Sequence, residues 1–222
     1  MKRGFLATVE GIEGVGKTVI AKELTRRLHE AGLKAVYTYE PSDGPYGKRV
    51  RELIKRGGHI WRWEIGLLLA LDRAWHVKTI ILPKLEEGSI VICDRYIHSQ
   101  LAYQTAEGLD PHVLEILNME FPKPDLVIFL DSDPVVAMMR LKLYSERHPD
   151  VDKKSIFNDE DFLRKVRSSY SRYIRDPRFT RELALINIDS EIGTEGLLPE
   201  DEYARKVRDI ALRLAELIIR RL

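Results

Sequence analysis

Residues 11–18 read GIEGVGKT, so Gly11, Gly16, Lys17 and Thr18 stand at the spacing G-x-x-x-x-G-K-T. Glycines at that spacing let backbone N–H groups converge on an anion, and a lysine and a hydroxyl complete a cradle for nucleotide phosphates. The third position is Glu13, a carboxylate in a loop suited to polyanions. Further candidates follow later apolar runs: Glu40-Pro41-Ser42-Asp43-Gly44 leads on to Arg51, and Asp94-Arg95-Tyr96 to Ser99, Gln100, Tyr103 and Gln104. An aspartate ending an apolar strand beside a phosphate loop is suited to organise Mg²⁺, and an adjacent arginine offers a two-pronged donor for phosphate. A buried structural Asp–Arg pair is the alternative. Asp131-Ser132-Asp133-Pro134 differs, because aspartate before proline is a helix-start signal. Its two aspartates are left out of the site.

One cradle accounts for Lys17 and Thr18, whereas Arg51, Arg73 and Arg95, at separate strand or helix ends, suggest a second anionic site facing the first. Two facing phosphate sites imply phosphoryl transfer between nucleotides. Glu13 then has a use that avoids phosphate, since a carboxylate accepts hydrogen bonds and a sugar hydroxyl donates one. The other reading is a solvated loop residue or a carboxylate near a helix N-terminus.

These residues need elements to hold them. Residues 5–9 form a short apolar run entering the glycine loop, and Ile20, Leu24, Leu28 and Ala31 recur at helical spacing until Gly32. Four more apolar runs, rich in β-branched residues, lie at 35–39, 90–93, 126–130 and 184–188, with helical patterns between them. Such runs describe a parallel sheet buried on both faces. The expectation is an α/β fold: a five-stranded parallel sheet with helices on both faces, as one domain over 1–222, with ligands outside the carboxyl ends of the strands. Residues 144–158, with Arg147, Lys153 and Lys154, read as a polar surface segment, placing a lid over about 140–158; residues 189–199 read as a loop before a last helix striped by Tyr203, Val207, Ile210, Leu214 and Leu217.

The chain has 222 residues, with 36 Lys plus Arg against 35 Asp plus Glu, so no global basic field draws in nucleic acid or an anionic membrane. Charged residues make up 32%, above the usual ~25%, which points to an ion-pair-rich surface. Cys93, the single cysteine, lies in an apolar run and permits no intramolecular disulfide, so a reducing, cytoplasmic setting is expected. The opening MKRGFLATVEG is too short in apolar residues for a signal segment, so no leader is expected. The longest apolar run, 65–71, is far short of the ~18 residues that span a bilayer.

Over roughly residues 4–175 the sequence resembles the thymidylate kinases, a branch of the nucleoside monophosphate kinases of P-loop type. The anchors are GIEGVGKT at 11, YEPSDGPYG at 39, LLLALDR at 67, DRYIHSQLAYQ at 94 and FPKPDLVIFLD at 121. DRY followed by S-x-x-A-Y-Q is far more specific than the phosphate loop. The resemblance implies transfer of the γ-phosphoryl of ATP, with Mg²⁺, to the 5'-phosphate of thymidine monophosphate (dTMP). It implies that Gly11, Gly14, Val15, Gly16, Lys17 and Thr18 hold ATP, and that Thr18 and Asp94 serve the metal. Glu13 matches the carboxylate that engages the acceptor sugar near its 3'-hydroxyl, and Arg51 and Arg95 match arginines on the acceptor phosphate. Arg73 matches the arginine that hydrogen-bonds the pyrimidine. Tyr103 matches the tyrosine that crowds the 2' position, and Glu40, Pro41, Ser99, Gln100 and Gln104 fall among acceptor-binding positions. It also implies a homodimer, for which the apolar helix from about 65 to 85 offers a face.

Three departures stand out. Some family members place a mobile arginine directly after the loop carboxylate, where this chain has Gly14; in the others the lid supplies it, which gives Arg140, Lys142 and Arg147 a role in closing over the phosphoryl group. Solvated helix and loop charges are the plainer reading of those three. Tyr39 stands where an arginine is usual, so one phosphate contact is lost or rerouted. Leu69 stands where many members stack an aromatic ring on thymine, forfeiting ~1 kcal/mol unless Trp61, Trp63 or Trp75 substitutes. Two alternatives stay open: a related kinase acting on dUMP, another pyrimidine monophosphate or a deoxynucleoside, and a nucleotide-dependent switch that needs only the donor site.

Overall fold

The computed structural model describes residues 3–56, 61–147, 159–194 and 198–222, with Arg147 described in its backbone alone. Its five strands are β1 (Phe5–Glu10), β2 (Ala35–Tyr39), β3 (Ile90–Asp94), β4 (Leu126–Asp131) and β5 (Leu183–Asn187). All pair in parallel, in the order β2-β3-β1-β4-β5. The inner runs β1, β3 and β4 became strands without polar alternation because they are covered on both faces, whereas the edge strands β2 and β5, expected to be buried as well, are largely half-buried or exposed. Every residue of β1 and β3 is buried.

One layer holds α1 (Lys17–Glu30) and α10 (Glu200–Ile219), whose Ile20, Leu24, Ile210 and Leu214 form a single core with Ala7 and Val9 of β1. On the other face Leu6, Val91 and Cys93 pack with Val77, Ile81, Leu85 and Leu101. That layer contains α3 (Arg62–His76), a five-residue π-turn (Val77–Ile81), α4 (Leu82–Glu86) and α5 (Ile97–Ala106), with α8 (Glu160–Tyr173) packed on α5. The helix expected over 65–85 is thus one rod with a widened turn inside it. The remaining helices are α2 (Pro45–Arg56), α6 (Pro111–Asn118), α7 (Pro134–Arg147) and α9 (Ile188–Ile192).

Two expectations are refined. Residues 140–147, read as the start of a lid, are the last two turns of α7, while 148–158, including Lys153 and Lys154, lie outside the described residues. Part of the loop expected over 189–199 is helix α9, because the Asn187 side chain accepts the Ser190 amide at 2.9 Å and caps a short helix. Asp133 is an N-cap as expected, its Oδ1 accepting the Val135 amide at 2.8 Å. Among the described residues no helix is long and apolar enough to cross a membrane.

The register positions the chemistry. Val9 lies opposite Asp94 and Asp94 opposite Tyr39, so Glu10, Arg95 and Glu40 leave three adjacent strands at one level. The central strand β1 has β3 on one side and β4 on the other, a switch point where open parallel sheets bind ligands.

Candidate active site

The phosphate loop turns from β1 into α1 through Gly11, Gly14 and Gly16. At Gly11 (φ 144°) a Cβ would sit 2.4 Å from the Leu130 carbonyl, and at Gly14 (φ 83°) one would sit 2.3 Å from the Ala137 carbonyl of α7. Both positions therefore require glycine. Helix α1 starts without a side-chain cap, leaving its first amides to an anion. Lys17 is buried and its Nζ donates to the Ile12 carbonyl at 2.6 Å. Burial, aided by the Arg95 charge, lowers its pKa to about 7, against the pull of Glu13, Asp94 and Glu10. Thr18 Oγ1 donates to Asp94 Oδ2 at 2.5 Å, while the buried Asp94 Oδ1 has no hydrogen-bond partner among the described residues.

Arg95 follows Asp94 with φ 68°, a left-handed conformation in a non-glycine residue. Its Nη2 pairs with Glu13 Oε2 at 3.0 Å, its Nη1 is 3.4 Å from Ser99 Oγ, and its guanidinium lies 5.0 Å from the centre of the Tyr103 ring. The loop carboxylate and the DRY arginine, 82 residues apart, thus meet at one spot. Burial pushes the Tyr103 hydroxyl up to about 12.

Arg73 is almost wholly buried. Its Nε and Nη2 donate to Glu40 Oε2 at 3.0 and 2.6 Å, and its Nη1 donates to Gln100 Oε1 at 2.6 Å and to Asn118 Oδ1. A guanidinium has five N–H groups, so one on Nη2 remains uncommitted among the described residues. Glu40 Oε1 also meets His76 Nδ1 at 3.1 Å, and His76 Nε2 meets Thr38 Oγ1 at 2.6 Å. The Gln100 amide is anchored further, its Nε2 donating to the Gly66 carbonyl at 2.7 Å. Gln104 Nε2 donates to Glu107 at 3.2 Å and its buried Oε1 has no hydrogen-bond partner among the described residues.

The loop after β2 is tied down from two sides. Asp72 accepts both the Ser42 amide and the Ser42 hydroxyl at 2.6 Å, and Arg51 Nη1 donates to the Pro41 and Ser42 carbonyls at 2.5 and 2.6 Å. Arg51 Nη2 pairs with Asp43 at 3.0 Å; Arg73 meets Glu40 just past β2, and Arg95 directly follows β3, so the three arginines border the ends of these two strands. Trp75 packs on Gly44 of this loop, where a Cβ would lie 2.3 Å from its ring; Trp61 is exposed and Trp63 lies against the α4–α5 core, while Leu69 is half-buried on α3. Tyr39, at the position without the usual arginine, donates to Asp43 at 2.6 Å.

Arg140 is buried and committed elsewhere: it bonds Ser132 Oγ at 3.1 Å and the Gly193 carbonyl at 2.7 Å, and pairs with Asp189 at 3.0 Å. Lys142 is exposed on α7, and Arg147 ends that helix. Asp131, left out of the site, is held by two bonds from Arg167 at 2.7 and 2.8 Å.

Sequence reading missed Glu10, Asp72, His76, Asn118 and Tyr170. Asp72 and His76 flank Arg73 at helical spacing and carried a weak signal; a glutamate ending a largely apolar strand was a stronger one. Asn118 and Tyr170 carried none, since their partners lie far away in the chain.

A glycine loop between a central parallel strand and a helix, with a buried lysine, a Thr–Asp pair and a bordering group of arginines, defines a P-loop phosphotransferase. The family model for thymidylate kinase matches residues 9–190. A probable thymidylate kinase of Pyrococcus abyssi is 39% identical over 190 residues, covering 83% of this chain and 88% of that protein. A second from Pyrococcus horikoshii is 45% identical over 146 residues (64% and 71%), and a thymidylate kinase of Xanthomonas campestris is 37% identical over 168 residues (76% and 71%). The chain belongs to the thymidylate kinase family.

Proposed function

We propose that the protein is a cytoplasmic enzyme that transfers the γ-phosphoryl of ATP to the 5'-phosphate of dTMP, giving ADP and dTDP. The observation that carries this reading is the 3.0 Å pair between Glu13 of the donor loop and Arg95 of the acceptor segment, which makes the two anion sites share a border. A switch protein would need only the first site. The backbone of Gly11, Gly14, Val15 and Gly16, with Lys17 and Thr18, holds the donor phosphates. Thr18 and Asp94 fit a hard divalent ion, because a buried carboxylate oxygen is left open beside a hydroxyl. These two residues would hold Mg²⁺, which would supply neutralisation of donor phosphate charge.

On the acceptor side Arg95 and Arg51 bind the 5'-phosphate, and Glu13 takes the 3'-hydroxyl. Tyr103 occupies the space of a 2'-hydroxyl, and Ser99 steadies Arg95. The uncommitted Nη2 hydrogen of Arg73 donates to a pyrimidine carbonyl, and the open Gln104 oxygen suits a ring N–H. Gln100 acts by fixing Arg73, and Leu69 with Glu40 and Pro41 lines the base site. Catalysis consists of alignment and charge stabilisation, with Arg147 supplying the closing charge, since Arg140 is committed to Ser132, the Gly193 carbonyl and Asp189. The family's homodimer is carried over too: Leu67 and Leu71 of α3, Ile116 of the adjacent α6 and Met119 just after it are exposed apolar side chains for a second copy to cover, giving twice the monomer mass in sedimentation.

The deciding experiment is ADP release from ATP and Mg²⁺ with dTMP, dUMP, dCMP, UMP or thymidine as acceptor. Strong preference for dTMP is expected. Equal rates with all five, or none with any, would overturn the assignment.

A further inference from the structure

Glu10 is itself assigned to neither nucleotide, yet it is fully buried beside the site and hydrogen-bonded from three sides. It ends β1 fully buried, and three groups converge on it: the Tyr96 amide donates to Oε1 at 2.8 Å, the Ser99 hydroxyl to Oε2 at 2.6 Å, and the Tyr170 hydroxyl lies 3.1 Å from Oε2. A buried carboxylate is costly to hold unless its bonds do something an apolar residue cannot.

What they do is visible at Arg95. Its left-handed backbone is pinned by consecutive bonds to consecutive residues of β1, the Arg95 amide donating to the Val9 carbonyl at 3.0 Å and the Tyr96 amide to Glu10. The same carboxylate reaches the Arg95 side chain through Ser99, whose hydroxyl is bound to Glu10 and lies 3.4 Å from Arg95 Nη1. Tyr170 of α8 closes the network, 2.8 Å from Ser99 Oγ and 3.2 Å from the Gly11 carbonyl, with its ring edge-on to Tyr103 at 6.3 Å. One residue therefore braces both the backbone bend, through the Tyr96 amide, and the guanidinium, through Ser99.

We propose that Glu10 is a positioning residue for the acceptor phosphate, holding the bent Arg95 backbone and aiming its guanidinium, with Ser99 and Tyr170 as struts. This rests on reading Arg95 as an acceptor-phosphate ligand.

The test is a double-mutant cycle read by binding, with calorimetric Kd values for dTMP and for ADP in wild type, Glu10→Gln, Arg95→Ala and the double variant. Glu10→Gln is expected to weaken dTMP at least fivefold and ADP less than twofold, and to weaken dTMP no further once Arg95 is alanine. Additive losses, or an equal loss of ADP binding, would overturn the proposal. Tyr170→Phe deletes one hydroxyl, keeps the ring packed and should show a smaller loss of the same selectivity; it decides the matter if Glu10→Gln does not fold. Wild type that fails to bind dTMP overturns the acceptor reading and this proposal together, whereas wild type that binds dTMP with an additive cycle overturns the proposal alone.

Discussion

Arg73 and Glu40 form a buried ion pair in which two guanidinium nitrogens, at 3.0 and 2.6 Å, meet a single carboxylate oxygen. The other oxygen is left for His76, so one side chain ties β2 to α3 at two points. Removing one member of a buried pair strands the other charge, at a cost of about 3–5 kcal/mol. Glu40→Gln is expected to lower Tm by about 6–20 °C, at about 2–4 °C per kcal/mol for a chain of this length. Thermal unfolding followed by circular dichroism measures it, and an unchanged Tm would contradict the pairing.

Lys17 gives a prediction with a definite sign. Burial lowers its pKa to about 7, so the free protein carries Lys17 charged below that pH and progressively neutral above it. Donor phosphates favour the charged form, so nucleotide binding at pH 8 should take up protons, up to about one per site, and uptake should fade toward pH 6. Calorimetry in buffers of different ionisation enthalpy reads this directly. Lys17→Ala should abolish both the uptake and turnover while the fold is retained.

Glu13 can be tested through the acceptor rather than the protein alone. Wild type should bind dTMP about tenfold more tightly than its 3'-deoxy analogue, a difference of about 1.4 kcal/mol, at the upper end of what a typical hydrogen bond contributes. Glu13→Ala should bind the two equally. Retained discrimination in the variant would remove Glu13 from the sugar.

Tyr103 should separate deoxyribose from ribose by occupying space. Tyr103→Ala is expected to raise kcat/KM for the ribonucleotide counterpart of dTMP by about tenfold relative to dTMP, and Tyr103→Phe much less, since the ring stays. With its hydroxyl pKa raised to about 12, the wild-type selectivity should be flat through pH 10.

The sheet was legible because each strand is a continuous apolar run, and the donor loop because its residues are neighbours in sequence. The segments after β2 and β3 were legible for the same reason. What joins them was not. Glu40 and Arg73 are 33 residues apart, Glu13 and Arg95 82, and Glu10 and Tyr170 160, so each pairing depends on the register of strands or the docking of a helix. Arg140 shows the converse: in sequence it reads as a lid cation, but the helix carries it inward to Asp189, a partner supplied by a short helix that the loop composition concealed.

Helix α7 passes so close to the phosphate loop that the space beside Gly14 is filled by the Ala137 carbonyl and the Leu141 side chain. The alternative location for a mobile arginine, one residue past the loop carboxylate, is therefore sterically closed. No single substitution could move the charge from lid to loop, because the loop has no room for a side chain until the helix retreats. The loop and lid arrangements are therefore separated by a backbone rearrangement, and position 14 itself is closed to any charged side chain.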